Sequence, residues 1–406
     1  MAKTKQTASK TKAPVKTVKA EKNSEPDDDN HKQQRTQLAG IIGVTISTAR
    51  VRNNLADQGV NAAIREALQE IENSTDLKTL SASTIKYATD AYEDMTKHDE
   101  ATTAVYAAFT SSDVKARDAL KLEDTKAALS NLVSRHLLRM GDDAISAFAA
   151  TANYIVRELA RHGAKSLLAE SKKTLKCYHI ANDEIETLPV WPFLRTLPCV
   201  TAERANYHTR ITELERKKAE KKEKDKKKKK AKTEAMAGAS ELEEEKAPAA
   251  TEKDDQSGDE KDDEKDDEKK ERAKRDKQPC DDFKHHAYQI ARSVVKESVN
   301  GDVSSAVRVF GSHVVYELID RYAKLIRLQT EFAHVKTVKA QTIITINNII
   351  LVDAGNENKE FSDYVDERVG LYLAHVQKNK DATTTAKVAK DDTAEKKTPA
   401  VSGTGK

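Results

Sequence analysis

The sequence predicts an all-α protein, because its apolar residues recur at helical spacing in several long stretches. The clearest stripe runs for about seven turns through Val307, Phe310, Val314, Leu318, Ile319, Tyr322, Ile326 and Phe332. Shorter amphipathic segments precede it at 283–299 and follow it at 341–351. A second long pattern at 146–171 has similar flanks, so the order short helix, loop, long helix, loop, short helix occurs twice.

Composition divides the 406 residues into folding and non-folding parts. Charged residues make up 34% and aromatic residues 5%, and long Lys-rich or acidic stretches contain almost nothing to bury. The net charge of +3 conceals separate basic and acidic blocks. We therefore predict a disordered basic tail at 1–37, an accessory helical region at 38–122, a helical unit at 123–200, a disordered charged linker at 201–280, a second helical unit at 281–377 and a disordered tail at 378–406.

Several classes of protein are not supported by the sequence. Cys177, Cys199 and Cys280 lack metal-ligand spacing and are too few for a disulfide framework, so reduced thiols are expected. There is no phosphate-binding glycine loop, no HExxH motif and no apolar run long enough for a bilayer. His285 and His286 point about 100° apart on a helix, which makes them poor joint ligands. We expect no catalytic residue, metal, cofactor or membrane contact, and an intracellular or packaged protein.

The second unit carries the motifs of a known family. The segment VKTVKAQTIITI (335–346) resembles the second loop and third helix of archaeal and eukaryotic histones. AYQIARSVVKESVNGDVSS (287–305) is similar to the first helix and first loop of histone 2B, and 357–377 lies where that histone has an extra C-terminal helix. The resemblance implies a histone fold, whereas apolar spacing alone also fits a helical hairpin that only packs.

The first unit resembles histone 2A. Asp124 or Thr125 is expected to cap its first helix, and RMGDDA (139–144) is similar to the archaeal first loop. FAATANYIVREL (148–159) resembles the central helix of histone 2A, and CYHIANDEIETL (177–188) is expected to form the third helix. The following prolines, Pro189, Pro192 and Pro198, predict an irregular extension. Together the units imply two histone folds paired within one chain.

The remaining segments carry less specific signals. The apolar pattern of residues 38–73 predicts a helical module docked on the first unit. Ser47 or Thr48 is expected to cap its first helix, and Gly59 is expected to divide it into two helices. The basic part of the linker fits a short helical continuation, an import signal, a DNA-contacting strand or a solvated spacer. AKTKQTASK (2–10) is similar to the histone 3 tail, which implies that Lys5 and Lys10 are modifiable.

The resemblance also implies which residues contact DNA. Histones hold phosphates with loop amides, a loop threonine and basic side chains; the matching positions are Arg139, Lys172, Lys173, Thr174, Lys336, Thr337 and Lys339. Three departures from the histone pattern predict that DNA is wrapped more weakly or less regularly. Lysine stands before each threonine instead of arginine, His179 and Gln341 or Thr342 replace a clamping aspartate, and the loop 300–303 has no arginine.

We therefore expect a histone doublet that packages double-stranded DNA into nucleosome-like particles without sequence specificity. It resembles the fused histones of large DNA viruses, which implies other histones or a second doublet as partners. The same resemblance implies a location on chromatin in the host nucleus or viral factory, and in the virion. Two alternatives remain: a histone-fold transcription factor subunit acting mainly in protein assembly, and a helical scaffold without a DNA role.

Overall fold

The computed structural model describes residues 42–111, 121–237, 278–352 and 359–394, together with Gly40. These residues are mostly helical, which confirms the all-α prediction, and each strand has only two residues. The helices are α1 (Thr48–Arg52), continued by a π-helix (Asn53–Val60), α2 (Ala62–Asn73), α3 (Ala82–Glu93), α4 (Glu100–Thr110), α5 (Leu122–Ser134), α6 (Asp142–Ala169), α7 (Cys177–Ile180), α8 (Trp191–Leu194), α9 (Pro198–Ala237), α10 (Lys284–Val299), α11 (Ser305–Phe332), α12 (Ala340–Val352) and α13 (Lys359–Ala394).

Four short strands join two similar units at their ends. The strands are β1 (Arg139–Met140), β2 (Thr174–Leu175), β3 (Asp302–Val303) and β4 (Thr337–Val338). Each lies in a loop beside one of the long helices, α6 or α11. β1 pairs in parallel with β4, and β2 pairs in parallel with β3. The loop before each long helix therefore pairs with the loop that follows the other one.

The long helices α6 and α11 supply the centre of a shared core. Phe148 and Tyr322 meet edge to face there, with ring centroids 5.0 Å apart. α10 and α12 of the second unit both pack on α6 of the first. The apolar stripe that the sequence predicts on α11 is buried beneath the π-helix, α10 and the 3-10 helix that precedes α10, except for Phe332 at its end, which is exposed.

The helix that completes the first unit is not the predicted one. α5 was expected to be its first helix, but α5 packs with α2, α3 and α4 around a separate apolar core. α1 and the π-helix instead lie on α6 and α11, in a position equivalent to that of α10 on the opposite side. Residues 62–137 are therefore an inserted helical subdomain, and the module at 42–61 belongs to the pair itself.

Two local predictions for this module have different outcomes. Ser47 caps α1, its hydroxyl accepting a hydrogen bond from the Arg50 amide at 3.4 Å. Gly59 does not break a helix; it lies inside the π-helix, which ends one residue later. A Cβ at Gly59 would lie 3.0 Å from the Ala323 Cβ, so the glycine permits the close approach of the π-helix to α11.

The segments after α6 also differ from the prediction. The expected third helix at 177–188 divides into the single turn of α7 and a 3-10 helix, Asp183–Thr187. Pro198 begins α9 rather than ending a helix, because proline is compatible with a first helical turn. α9 continues to Ala237, well into the predicted disordered linker, since its Lys, Glu and Ala residues favour helix.

The ends of the second unit extend past their predicted limits. A 3-10 helix, Pro279–Phe283, precedes α10, and its Cys280 and Phe283 are buried. α13 packs on α6, where Phe361 contacts the Tyr154 ring at 5.2 Å between centroids. α13 continues to Ala394, although a disordered tail was predicted from 378. Among the described residues, no helix is both long and apolar enough to cross a bilayer.

Candidate nucleic-acid interface

The two strand pairs collect the predicted DNA-contacting residues into two groups. Arg139, Lys336, Thr337 and Lys339 form one surface, which we call the β1–β4 end. Arg139 pairs there with Thr337, and the Arg139 amide donates to Lys336 O at 2.9 Å. Lys172, Lys173, Thr174 and Asp302 form a second surface, which we call the β2–β3 end. Thr174 pairs there with Asp302. All these side chains are exposed.

At the β1–β4 end, two acidic residues have structural roles. Asp143 accepts a hydrogen bond from the Ala340 amide at 2.9 Å and so caps α12 from the other unit. Asp142 forms an ion pair with Arg52, whose guanidinium also donates to Met140 O at 3.3 Å. The Arg52 guanidinium offsets the Asp142 carboxylate, and the charges of Arg139 and the two lysines exceed that of Asp143, so this end is positive.

The β2–β3 end is partly neutralised by its own acids. The Lys172 ammonium lies 2.5 Å from the Glu170 carboxylate and donates to the Tyr178 hydroxyl at 3.0 Å. The hydrogen bond between Lys172 and Glu170 raises the pKa of Lys172 and lowers the pKa of Glu170. Asp302 adds a further negative charge opposite Thr174. Lys173 and Thr174 therefore remain as the most available phosphate contacts.

Backbone hydrogen bonds hold the two loops of the β2–β3 end together. The Asp302 amide donates to Lys173 O at 2.8 Å, and the Ser304 amide donates to Leu175 O at 3.0 Å. A Cβ at Gly301 would lie 2.2 Å from Lys173 O, so no other residue fits there without displacement of the loop. Ser304 is the N-cap residue of α11, which begins at Ser305.

An additional arginine reaches the β2–β3 end from α9. The Arg210 guanidinium lies 4.0 Å from the centre of the Tyr178 ring, beside Lys172. Arg210 borders a groove of about 400 Å³ that also includes Lys176 and the start of α11 at Ser304 and Ser305. Sequence reasoning missed Arg210 because it placed residues 201–280 in a linker, and no local pattern indicates that α9 docks beside this loop.

A larger cleft adjoins the β1–β4 end. Its volume is about 760 Å³, and it lies between the inserted subdomain and the C-terminal part of α11. Lys86 and Arg135 of the subdomain face it together with Lys336, while Asp90 and Asp94 line the same wall. The insertion thus adds both signs of charge next to the predicted DNA-contacting loop.

Among the described residues, the cysteines belong to no metal-ligating cluster. No group of three or more His, Cys, Asp or Glu side chains there is arranged to hold a metal ion. All three cysteines are free thiols. Burial raises the pKa of the Cys177 thiol to about 12 and also raises the pKa of Cys199. Neither thiol is therefore activated as a nucleophile.

The predicted modifiable lysines, Lys5 and Lys10, lie outside the described residues. Comparison with known proteins adds no assignment: no protein-family model, curated protein or solved structure matches this chain. The arrangement of the two loop ends is therefore the basis for a functional proposal.

Proposed function

We propose that this protein is a DNA-packaging histone doublet. In this proposal two histone folds pair within one chain and bind the backbone of double-stranded DNA without reading its sequence. The observation that carries it is the exchange of loops between the units: β1 with β4, and β2 with β3. At the β1–β4 end this exchange brings Arg139 of the first unit beside Thr337 and the lysines of the second, and at the β2–β3 end Thr174 and its neighbouring lysines lie beside Asp302 of the second unit.

The chemistry of both groups suits phosphate. Thr174 and Thr337 offer hydroxyl donors, and the neighbouring Lys173 and Lys336 offer exposed ammonium groups. Contacts of this type position a protein on the duplex but carry no sequence information. Arg139 lies within the β1–β4 end, and its guanidinium is suited to insertion into a narrow minor groove. The proposed binding is therefore electrostatic and independent of sequence.

The biological setting follows from the resemblance to fused viral histones. We propose compaction of a viral genome in the host nucleus or viral factory and in the virion, with other histones or a second doublet completing the particle. Exposed acids near the loops, Asp302 above all, favour a second candidate: a histone-fold assembly subunit that binds DNA weakly. The two candidates differ in how binding responds to salt, since each neutralised phosphate contributes about 0.9 to the log–log slope.

The test is nuclease digestion of the full chain reconstituted on random-sequence DNA, alone and with the four core histone types. A protected fragment of discrete length supports packaging, whereas a smear that disappears at modest salt overturns it. A loop variant, Arg139→Gln with Lys173→Gln, Lys336→Gln and Lys339→Gln, should lose the fragment. A control variant removes the same charge at exposed positions outside both loop ends: Lys97→Gln, Lys121→Gln, Lys359→Gln and Lys378→Gln.

A further inference from the structure

α9 is anchored on the core near its start and is exposed from Thr212 to Lys224. Near its start, the Cys199 amide donates to the Glu317 carboxylate at 2.9 Å. One turn later, the Arg204 guanidinium lies 5.3 Å from the Trp191 ring centre. From Thr212 to Lys224, every side chain is exposed. We call residues 212–237 the α9 arm; they continue α9 as a single helix, and the core buries none of its side chains between Thr212 and Lys224.

The α9 arm carries a dense positive charge. Between residues 216 and 232 there are twelve Lys or Arg residues and three acidic residues. Residues 226–230 are five consecutive lysines. Like charges at i,i+4 repel each other and disfavour a helix, and no apolar stripe compensates along this stretch. A helix of this composition is stabilised by a polyanion that neutralises it.

The arm begins at the β2–β3 end. Arg210, just before the arm, stacks on Tyr178, and the Tyr178 hydroxyl accepts a hydrogen bond from Lys172. The charged part of α9 therefore departs from a surface where we propose that phosphates bind. With a rise of about 1.5 Å per residue, the 26 residues of the arm span about 39 Å. That length matches about eleven base pairs, at about 3.4 Å for each.

We infer that the α9 arm is a second DNA-binding element, which contacts the phosphate backbone of duplex DNA beyond the β2–β3 end. This inference rests on the proposed function, because it takes the DNA at that end as its starting point. The arm extends the bound length of DNA beyond the core, and DNA in turn holds the lysine-rich part of the helix together. The ligand is the regular array of phosphates on a duplex, with no base specificity.

The test compares an arm variant with a charge-matched control in the full chain. The arm variant changes Lys217, Lys218, Lys221, Lys222, Lys224 and Lys226 to Gln, which keeps helix propensity. The control makes the same change at Lys3, Lys5, Lys10, Lys12, Lys16 and Lys19. The affinity for DNA is measured as a function of salt concentration on two duplexes. The shorter duplex is as long as the fragment protected by the arm variant, and the longer one has about eleven more base pairs at each end.

On the longer duplex, the arm variant should lower the log–log salt slope by about 2 to 4, because each lost phosphate contact removes about 0.9. Its protected fragment should also be shorter than that of the unmodified protein. On the shorter duplex, the arm variant should behave like the control. The longer duplex should increase the helical circular dichroism at 222 nm for the unmodified protein and for the control, but not for the arm variant.

The inference is overturned if the arm variant and the control give equal slopes on both duplexes, or if DNA adds no helical signal that depends on the arm lysines. Failure of the proposed function has a different signature. In that case the loop variant leaves the protected fragment intact while the arm variant still lowers the slope, which would make the arm the principal DNA-binding element. If only the loop variant has an effect, the proposed function stands and the arm is a solvated spacer.

Discussion

Asn61 and Leu138 are joined by two hydrogen bonds across 77 positions of sequence. The Asn61 side-chain amide donates to Leu138 O at 3.0 Å, and the Leu138 amide donates to Asn61 Oδ1 at 2.9 Å. The chain therefore leaves the paired core and returns to it at one point. The helical subdomain between them is attached through this junction, and the junction aligns β1 for pairing with β4.

Replacing Asn61 with Ala should destabilise the protein by about 2 to 3 kcal/mol, because a buried donor and acceptor of Leu138 lose their partner. Asn53→Ala, at an exposed position in the same π-helix, is the control and should change stability by less than about 0.5 kcal/mol. Chemical denaturation of both variants measures the difference. Equal midpoints would mean that the junction does not contribute to stability.

A buried polar chain crosses the interface between the units. The Tyr322 hydroxyl donates to Asn347 Oδ1, and the Asn347 amide donates to the Thr151 hydroxyl at 3.0 Å. Asn347→Leu should cost about 2 kcal/mol, because Tyr322 and Thr151 keep their buried hydroxyls without this partner. Asn348→Leu, at the adjacent exposed position, should be close to neutral. A gain of stability in Asn347→Leu would show that apolar packing is preferred there.

Acidification should weaken the fold through buried histidines. Burial lowers the pKa of His162 below the ordinary value of 6.5, although its hydrogen bond with Asn182 partly offsets this effect. Below about pH 6.5 the unfolded chain binds more protons than the folded protein, so stability falls as the pH falls. His162→Gln should reduce the slope of the unfolding free energy against pH between about pH 7 and pH 5.

The slope should not vanish in His162→Gln, because burial also lowers the pKa of His179. His334→Gln, at an exposed position, is the control and should leave the slope close to that of the unmodified protein. If both variants have the same pH dependence, protonation of His162 is not coupled to folding.

The acid at the β2–β3 end should oppose DNA binding. Asp302 is exposed and pairs with Thr174, so its carboxylate lies on the surface proposed to meet phosphate. Asp302→Asn should raise the affinity for random-sequence DNA by about two- to fivefold at low salt, with a smaller gain at high salt. Asp366→Asn makes the same change in charge at an exposed position on α13. Equal gains in the two variants would indicate a general charge effect rather than a local one.

Sequence reasoning succeeded where apolar periodicity is long and failed where tertiary contacts decide. The stripe on α11 and the pattern of α6 are periodic over many turns, and the structure has both helices. The π-helix and α5 both have apolar faces, through residues such as Leu55 and Leu129. Apolar periodicity identifies the buried face of a helix but not the core against which that face packs. The Asn61–Leu138 junction makes that choice, and it is not visible in local sequence.

The loop residues of the candidate site were indicated by the resemblance to histone loops. The structure brings Arg139 and Thr337 together through β1 and β4. Sequence analysis did not indicate Arg210, because its position on α9 could not be predicted from composition. Lys, Glu and Ala are common both in long solvent-exposed helices and in disordered linkers, so composition alone does not separate the two.

The presence of both long helices, α6 and α11, in one chain has a consequence for stoichiometry. A pair made of separate chains dissociates on dilution, and its melting temperature depends on protein concentration. Here each unit carries its own partner, so the pair forms in a unimolecular step at every concentration. Every copy of the protein also delivers the two units in equal number, and neither can accumulate in excess of the other.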